Sequence, residues 1–174
     1  NFEKKNAGEH IFAESIDVSL VAGEGLITSL EARGQVKLDL PNGNTGAIRQ
    51  VRAGLMTSVG EDTRGLTKLE FVENVEFRSL RSVTDDQQDL VTTADRLETS
   101  VAGRLGAMNT ARFTGHVGFS HGETEGTASL MFYDINAGVV RLRSYGGEGS
   151  TPRIMDSNIE IEAEEIDFSL DGAG

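Results

Sequence analysis

Apolar and polar residues alternate with a period of 2 along most of this chain. Val36-Lys37-Leu38-Asp39-Leu40 shows it. So do Ile16-Asp17-Val18-Ser19-Leu20, Ile159-Glu160-Ile161-Glu162-Ala163 and Ile166-Asp167-Phe168-Ser169-Leu170. Successive side chains of a strand point to opposite faces, so each segment has one apolar face and one charged face. The pattern predicts antiparallel strands packed on one side and solvated on the other, an all-β fold with no helix longer than about two turns. Asn42-Gly43, Asn136-Ala137-Gly138 and Asp171-Gly172 supply turn residues that tolerate positive φ. Ser82 to Asp89 and Gly146 to Pro152 read as loops. A helical turn competes with strand over Thr92 to Glu98, and the repeat described next favours strand there.

The alternation recurs in units. Segments starting at Gly25, Gly65 and Gly106 align with one another, each a strand, then Gly or Asn, then an apolar-x-apolar strand start. Alanines 13, 53, 94, 128 and 163 mark the units at spacings of 40, 41, 34 and 35. A period of this size signals stacked units that cannot bury an apolar face alone.

Composition narrows the function. A chain of 174 residues suits one domain, here taken as 1–174, and is long enough to bury a core without staples. Cysteine is absent, which removes disulfides, thiol catalysis and cysteine metal sites. The net charge of -12, from 16 basic and 28 acidic residues, argues against a general nucleic-acid binder. No stretch reaches the roughly 18 apolar residues of a membrane-spanning helix.

Catalytic motifs are weak. Gly118-Phe119-Ser120-His121-Gly122 matches a nucleophile elbow, but no histidine follows His121 and nothing helical follows Gly122. It reads as a hairpin turn. His116 and His121 lie five apart, on opposite faces of a continuous strand, and His10 is remote, so no metal or other cofactor is expected. Glu160, Glu162, Glu164 and Glu165 alternate with or flank apolar residues, as on a solvated strand face rather than in a sugar cleft.

The apolar phase carries the remaining candidates. Phe71, Val75, Phe77, Phe113 and Val117 point inward on this reading, as do Phe119, Leu130, Phe132 and Leu142. The plain role for most of them is a packed core. The functional role is the wall of a groove between two sheets, where the small alanines leave room for an alkyl chain. Ile16 and Val18 near the N-terminus, and Ile161 and Phe168 near the C-terminus, are the candidate edge-strand contacts to a partner.

Ala111-Arg112-Phe113-Thr114-Gly115-His116-Val117-Gly118-Phe119 resembles a phenylalanine-x-glycine-x-valine strand motif. Glu125 to Asp134 follows, then Val139-Val140-Arg141-Leu142, then Pro152-Arg153-Ile154 leading into Ile159 to Ile166. This order is similar to the OstA-like superfamily, the periplasmic lipopolysaccharide-export proteins of LptA and LptC type, most clearly over residues 105–174. The resemblance implies an elongated, twisted antiparallel β-jelly roll with an apolar groove. It implies a non-enzymatic, periplasmic lipid-handling module of lipopolysaccharide transport and outer-membrane biogenesis, with an inner-membrane anchor outside this sequence left open. The implied partners are lipopolysaccharide or another acylated lipid, and related β-jelly-roll Lpt proteins joined by edge-strand pairing. A homo-oligomer built the same way is also allowed. With so acidic a chain, recognition is expected to rest on acyl chains. The alternative is a repeat β-domain acting only as a protein-interaction scaffold or adhesin module; a carbohydrate hydrolase ranks below both.

Overall fold

Twelve antiparallel strands make one continuous, twisted sheet. The computed structural model describes residues 8–23, 25–41, 48–80, 90–101, 108–145 and 150–170. Outside these fall the turns at Asn42-Gly43 and Asp171-Gly172, the run Ser82 to Asp89, the start of the third unit at Gly106-Ala107, and residues 146–149 of the second loop. Six long strands run as a meander: β3 (Ile27–Pro41), β4 (Ile48–Glu61), β5 (Gly65–Leu80), β6 (Leu90–Ser100), β7 (Thr110–His121) and β8 (Thr124–Asp134). Two short strands, β1 (His10–Phe12) and β2 (Ser15–Leu20), both pair with β3. At the other end β9 (Val139–Arg143) and β10 (Arg153–Met155) both pair with β8; β12 (Glu165–Ser169) pairs with β9 and β11 (Glu160–Glu162) with β10. Among the described residues there is no helix, and Thr92 to Glu98 is strand inside β6.

Every long strand is interrupted at the same level. The register shifts between Arg33 and Val36, Arg52 and Leu55, Val72 and Val75, Thr93 and Arg96, and Thr114 and Val117. A bulge bends its strand, and a row of aligned bulges creases the sheet. Odd strands make the crease with two consecutive residues at positive φ: Gly34-Gln35, Glu73-Asn74 and Gly115-His116. Even strands slip by one residue instead, so the buried set changes parity from Val51 and Ala53 to Met56 and Ser58. β6 does the same, from Thr92 and Ala94 to Leu97 and Thr99.

The alanine period now has a physical meaning. Ala53, Ala94 and Ala128 are buried at the crease, while Ala13 and Ala163 sit between β1 and β2 and between β11 and β12. A residue just past the alanine fills the space that glycine leaves. Glu14 and Asp95 lie where a Cβ on Gly34 or Gly115 would sit, and Glu73 occupies the same place over Gly54. Asp95 Oδ2 also meets His116 Nδ1 at 2.7 Å, and Gln35 Nε2 donates to Glu14 Oε1 at 3.2 Å.

The crease divides the sheet into two facing layers. Layer A holds β1, residues 36–41, 48–53, 75–80, 90–94, 117–121 and 124–128, β10 and β11. Layer B holds β2, residues 27–33, 55–61, 65–72, 96–100, 110–114 and 129–134, β9 and β12. The core lies between them. Phe77 of layer A meets Phe113 of layer B edge-on, with centroids 5.6 Å apart, and Tyr133 at 6.3 Å. Phe119 of layer A stacks on Phe168 of layer B at 5.4 Å.

Candidate functional site

The interior is built by strand parity. Phe71, Val75, Phe77, Phe113, Val117, Phe119 and Leu142 are buried members of the core. Leu130 and Phe132 are not where the alternation put them. β8 loses one residue of phase after Ala128, so Met131 opposes Phe113 and Tyr133 opposes Ala111, all four buried. Phe132 therefore points outward and is 41% exposed, with the Arg112 guanidinium 5.6 Å above its ring. Leu130 is buried, but it opposes Thr114 and Arg143 and is not part of the core cluster.

The two ends of the strand order look different. Ile16 on β2 is 43% exposed and Val18 46%, although they oppose the buried Ala32 and Leu30. They lie on the inward face at a place where no opposite layer covers them. Ile161 on β11 is 42% exposed and opposes the buried Ile154. Phe168 is half-buried on Phe119. Leu20 and Ile159 extend these apolar patches, each continuing the alternation of its segment by one step.

β2, β11 and β12 each have one neighbour only, so one flank of each backbone is unpaired among the described residues. Which groups face outward follows from the observed bonds. Ala163 N donates to Pro152 O and Leu170 N to Gly138 O. Donors alternate along a strand, so the N–H groups of Ile161, Ile166 and Phe168 face the sheet, and those of Glu162, Glu165 and Asp167 face out. At the other end Glu14 N donates to Arg33 O, which leaves the N–H of Asp17 facing out.

Charge lies on the outer faces. Glu98 on layer B accepts from Lys68 Nζ at 2.6 Å and Arg112 Nη1 at 3.3 Å. The Lys68 hydrogen bond, with the charges of Lys68, Arg96 and Arg112, holds its carboxyl below the usual carboxylate range against the opposing effect of burial. Glu76 is lowered in the same way, chiefly by its hydrogen bond from Arg78 at 2.8 Å. Concavities on these outer surfaces include one of about 650 Å³ beside Phe132, Arg112 and Arg141, and one of about 370 Å³ beside Thr93, Ser120, Glu125 and Arg153.

Ser120 and His121 are the last two residues of β7, and Gly122, at φ 68°, makes the tight turn into β8. His116 is held by Asp95 at the crease. No group of three or more His, Asp or Glu among the described residues could hold a metal ion.

A creased antiparallel sheet with a packed interior and two bare ends has a solved counterpart. The crystal structure of LptH, the LptA-homologous periplasmic component of the lipopolysaccharide transport device of Pseudomonas aeruginosa, matches with a TM-score of 0.59 over 88% of this chain and 93% of that one. The fold is LptA-like. Identity is 12%, so the likeness is one of architecture. No protein-family model matches the sequence, and no curated protein matches it. The LptA-like fold agrees with the expected twisted β-jelly roll. Among the described residues no helix is long and apolar enough to cross a membrane.

Proposed function

We propose that this chain, as a single domain over residues 1–174, is a periplasmic, non-enzymatic module of lipopolysaccharide transport. It shields acyl chains between its two layers and joins related β-jelly-roll domains through its edges. The observation that carries the reading is the LptA-like architecture, shared with a periplasmic lipopolysaccharide-transport component over 88% of the chain. The apolar ends support it. Ile16 and Val18 at one end, and Ile161 at the other, continue the inward apolar face to where the layers stop. A second domain stacked there would extend that face, and a matching strand would pair with the free donors of Glu162, Glu165 and Asp167. Each methylene shielded from water contributes about 0.8 kcal/mol, so acyl chains alone supply substantial affinity.

One observation favours a second reading, a protein-interaction scaffold. The aromatic interior is closed, with Phe71, Phe77 and Phe113 fully buried. On the transport reading the layers part to admit a chain. On the scaffold reading they stay shut and only the edges act. Photo-crosslinking amino acids at Ile16, Ile161 and Phe119, in cells that make lipopolysaccharide, separate the two. Edge positions are expected to capture a β-rich protein partner and Phe119 an acylated lipid. Protein capture at the edges with no lipid at Phe119 would replace the transport reading by the scaffold.

A further inference from the structure

Arg49 stands apart from every other described cation. Arg33, Lys37, Arg52, Arg64, Lys68, Arg78, Arg96, Arg112, Arg141, Arg143 and Arg153 all sit in ion pairs. Arg49 has none among the described residues, in a chain of net charge -12 where carboxylates are plentiful. Its position explains why. It opposes the buried Leu40 and, on the other side, Ser79, and it shares the parity of the buried Val51 and Ala53. Arg49 therefore points between the layers at the rim, while its neighbours Gln50 and Arg52 face outward to Asp39 and Glu76. Its Nε is buried with no hydrogen-bond partner, and burial pulls its pKa down. Tyr133 of the opposite layer acts on its charge in the opposite direction.

One inward row further in, layer A leaves a second polar group unmet. Thr92 is completely buried between its register partners Phe77 and Phe119, and its hydroxyl has no partner. A half-buried guanidinium without a partner carries a desolvation cost, and the unmet hydroxyl of Thr92, across β5 from it, carries another. Neither polar atom finds a partner among the described residues. Both suit a molecule that is anionic at the rim and carries oxygen and alkyl groups below.

We propose that Arg49 docks the anionic head of an acyl lipid, a phosphate or carboxylate, at the rim of layer A, with the chain running inward past Thr92 toward Phe119. This rests on the lipid-handling reading above and names the part of the lipid that is recognised. A guanidinium meets either head through two parallel N–H donors, and the partly buried setting strengthens that contact. The remaining outward-facing carboxylates repel free anions from the surface, so an anion is admitted only when its alkyl chain is also accommodated.

Titration calorimetry of the whole chain with dodecyl phosphate, dodecanoate and neutral dodecyl maltoside, each below its micelle concentration, tests it. The wild type is expected to prefer an anionic probe over the neutral one by about tenfold or more. Arg49→Gln should abolish that preference and leave the maltoside affinity unchanged, and Arg49→Lys should keep part of it. Because no described residue pairs with Arg49, the Arg49→Gln unfolding midpoint should equal or exceed that of the wild type, which separates lost recognition from lost folding. Thr92→Val should weaken all three probes by a smaller factor. Comparing the two anionic probes tells a phosphate head from a carboxylate head. Equal binding of charged and neutral probes by the wild type, or a preference that survives Arg49→Gln, overturns the head-docking proposal while the lipid reading stands. Binding of none of the three overturns both.

Discussion

Two regions of this molecule carry the same alternating pattern and meet opposite fates. In β3, Val36, Leu38 and Leu40 are buried, and their polar neighbours Lys37 and Asp39 pair on the outside at 2.9 Å. In β2 and β11, Ile16, Val18 and Ile161 alternate just as cleanly and remain over 40% exposed. The difference is not in the strands but in what faces them. β3 to β8 are flanked by a strand on each side and covered by the opposite layer, whereas β2 and β11 have one neighbour and leave these side chains uncovered. Alternation therefore reports which face of a strand is apolar. Whether that face is covered by this chain or offered to another is a property of the strand's place in the order. An exposed apolar edge is a hazard for random pairing, and the acidic residues interleaved at Asp17, Glu160 and Glu162 limit it.

The sharpest break between covered and uncovered positions comes from two phenylalanines. Phe77→Ala is expected to cost about 3–5 kcal/mol, because it empties the junction with Phe113 and Tyr133. Phe132→Ala should cost less than about 1 kcal/mol, since that ring lies outside beneath Arg112. Urea denaturation reads both. Comparable losses at the two sites would mean that the outer face of layer B is not solvated as described.

The crease should be the next most sensitive region. Gly115 has φ 75°, and Asp95 fills the place a methyl would take. Gly115→Ala is expected to cost about 2–3 kcal/mol, from backbone strain together with displacement of Asp95 from His116. Gly23 lies in the hairpin beyond β2, at φ 91°, with open space around it, so Gly23→Ala should cost only about 1 kcal/mol. Thermal unfolding of the pair checks this; a smaller loss at Gly115 would show that the crease yields more easily than the end hairpin.

Much of this was legible from residues. The strand class, the alanine period and the terminal strands as edges all follow from period-2 patterning and spacing. The alanine period was visible without its cause, since only pairing in three dimensions shows that the alanines lie on one crease. Phe132 was misplaced for a physical reason: the slip after Ala128 costs one residue, and the apolar run Leu130-Met131-Phe132-Tyr133 offers both phases, so sequence alone does not choose. Arg49 escaped notice because a charged residue on the apolar parity looks like a strand's ragged start. Its meaning emerges only when every other described cation is seen to be paired.

Edge strands should tolerate changes that would break the meander, provided the right donor is removed. Glu162→Pro takes away an outward-facing N–H of β11 and is expected to shift stability by no more than about 0.5 kcal/mol. Ile161→Pro removes a ladder bond to β10 and should cost about 1 kcal/mol or more. Both should weaken edge pairing, so crosslinked assemblies fall in both while unfolding shifts in one. Assembly that survives Glu162→Pro would assign pairing to β12 or to the N-terminal edge, where Asp167→Pro and Asp17→Pro make the equivalent tests.

The smallest expected effect concerns acid, and it again separates covered from uncovered regions. Glu98 lies in the middle of layer B among Lys68, Arg96 and Arg112, and its folded pKa lies below the ordinary carboxylate value. A depressed folded pKa means the ionised form is favoured by folding. The stabilisation is therefore complete above the unfolded carboxylate pKa and is lost as pH falls through the lower, folded one. Glu98 keeps 18% of its side-chain surface and Lys68 keeps 50%, so solvent screens the interaction to about 0.5–1 kcal/mol. Glu98→Gln should be less stable than the wild type by that amount at neutral pH. The gap should close as both proteins are titrated from the unfolded carboxylate pKa downward, because the protonated wild-type side chain then resembles the amide. Removing Lys68 with Lys68→Met should produce most of the same loss and the same narrowing, since the Lys68 hydrogen bond is the largest cause of the shift. A gap that stays constant down to the acid limit of folding would show that Glu98 contributes through packing rather than charge. The ion network of the covered layer would then be no more than a solvated surface.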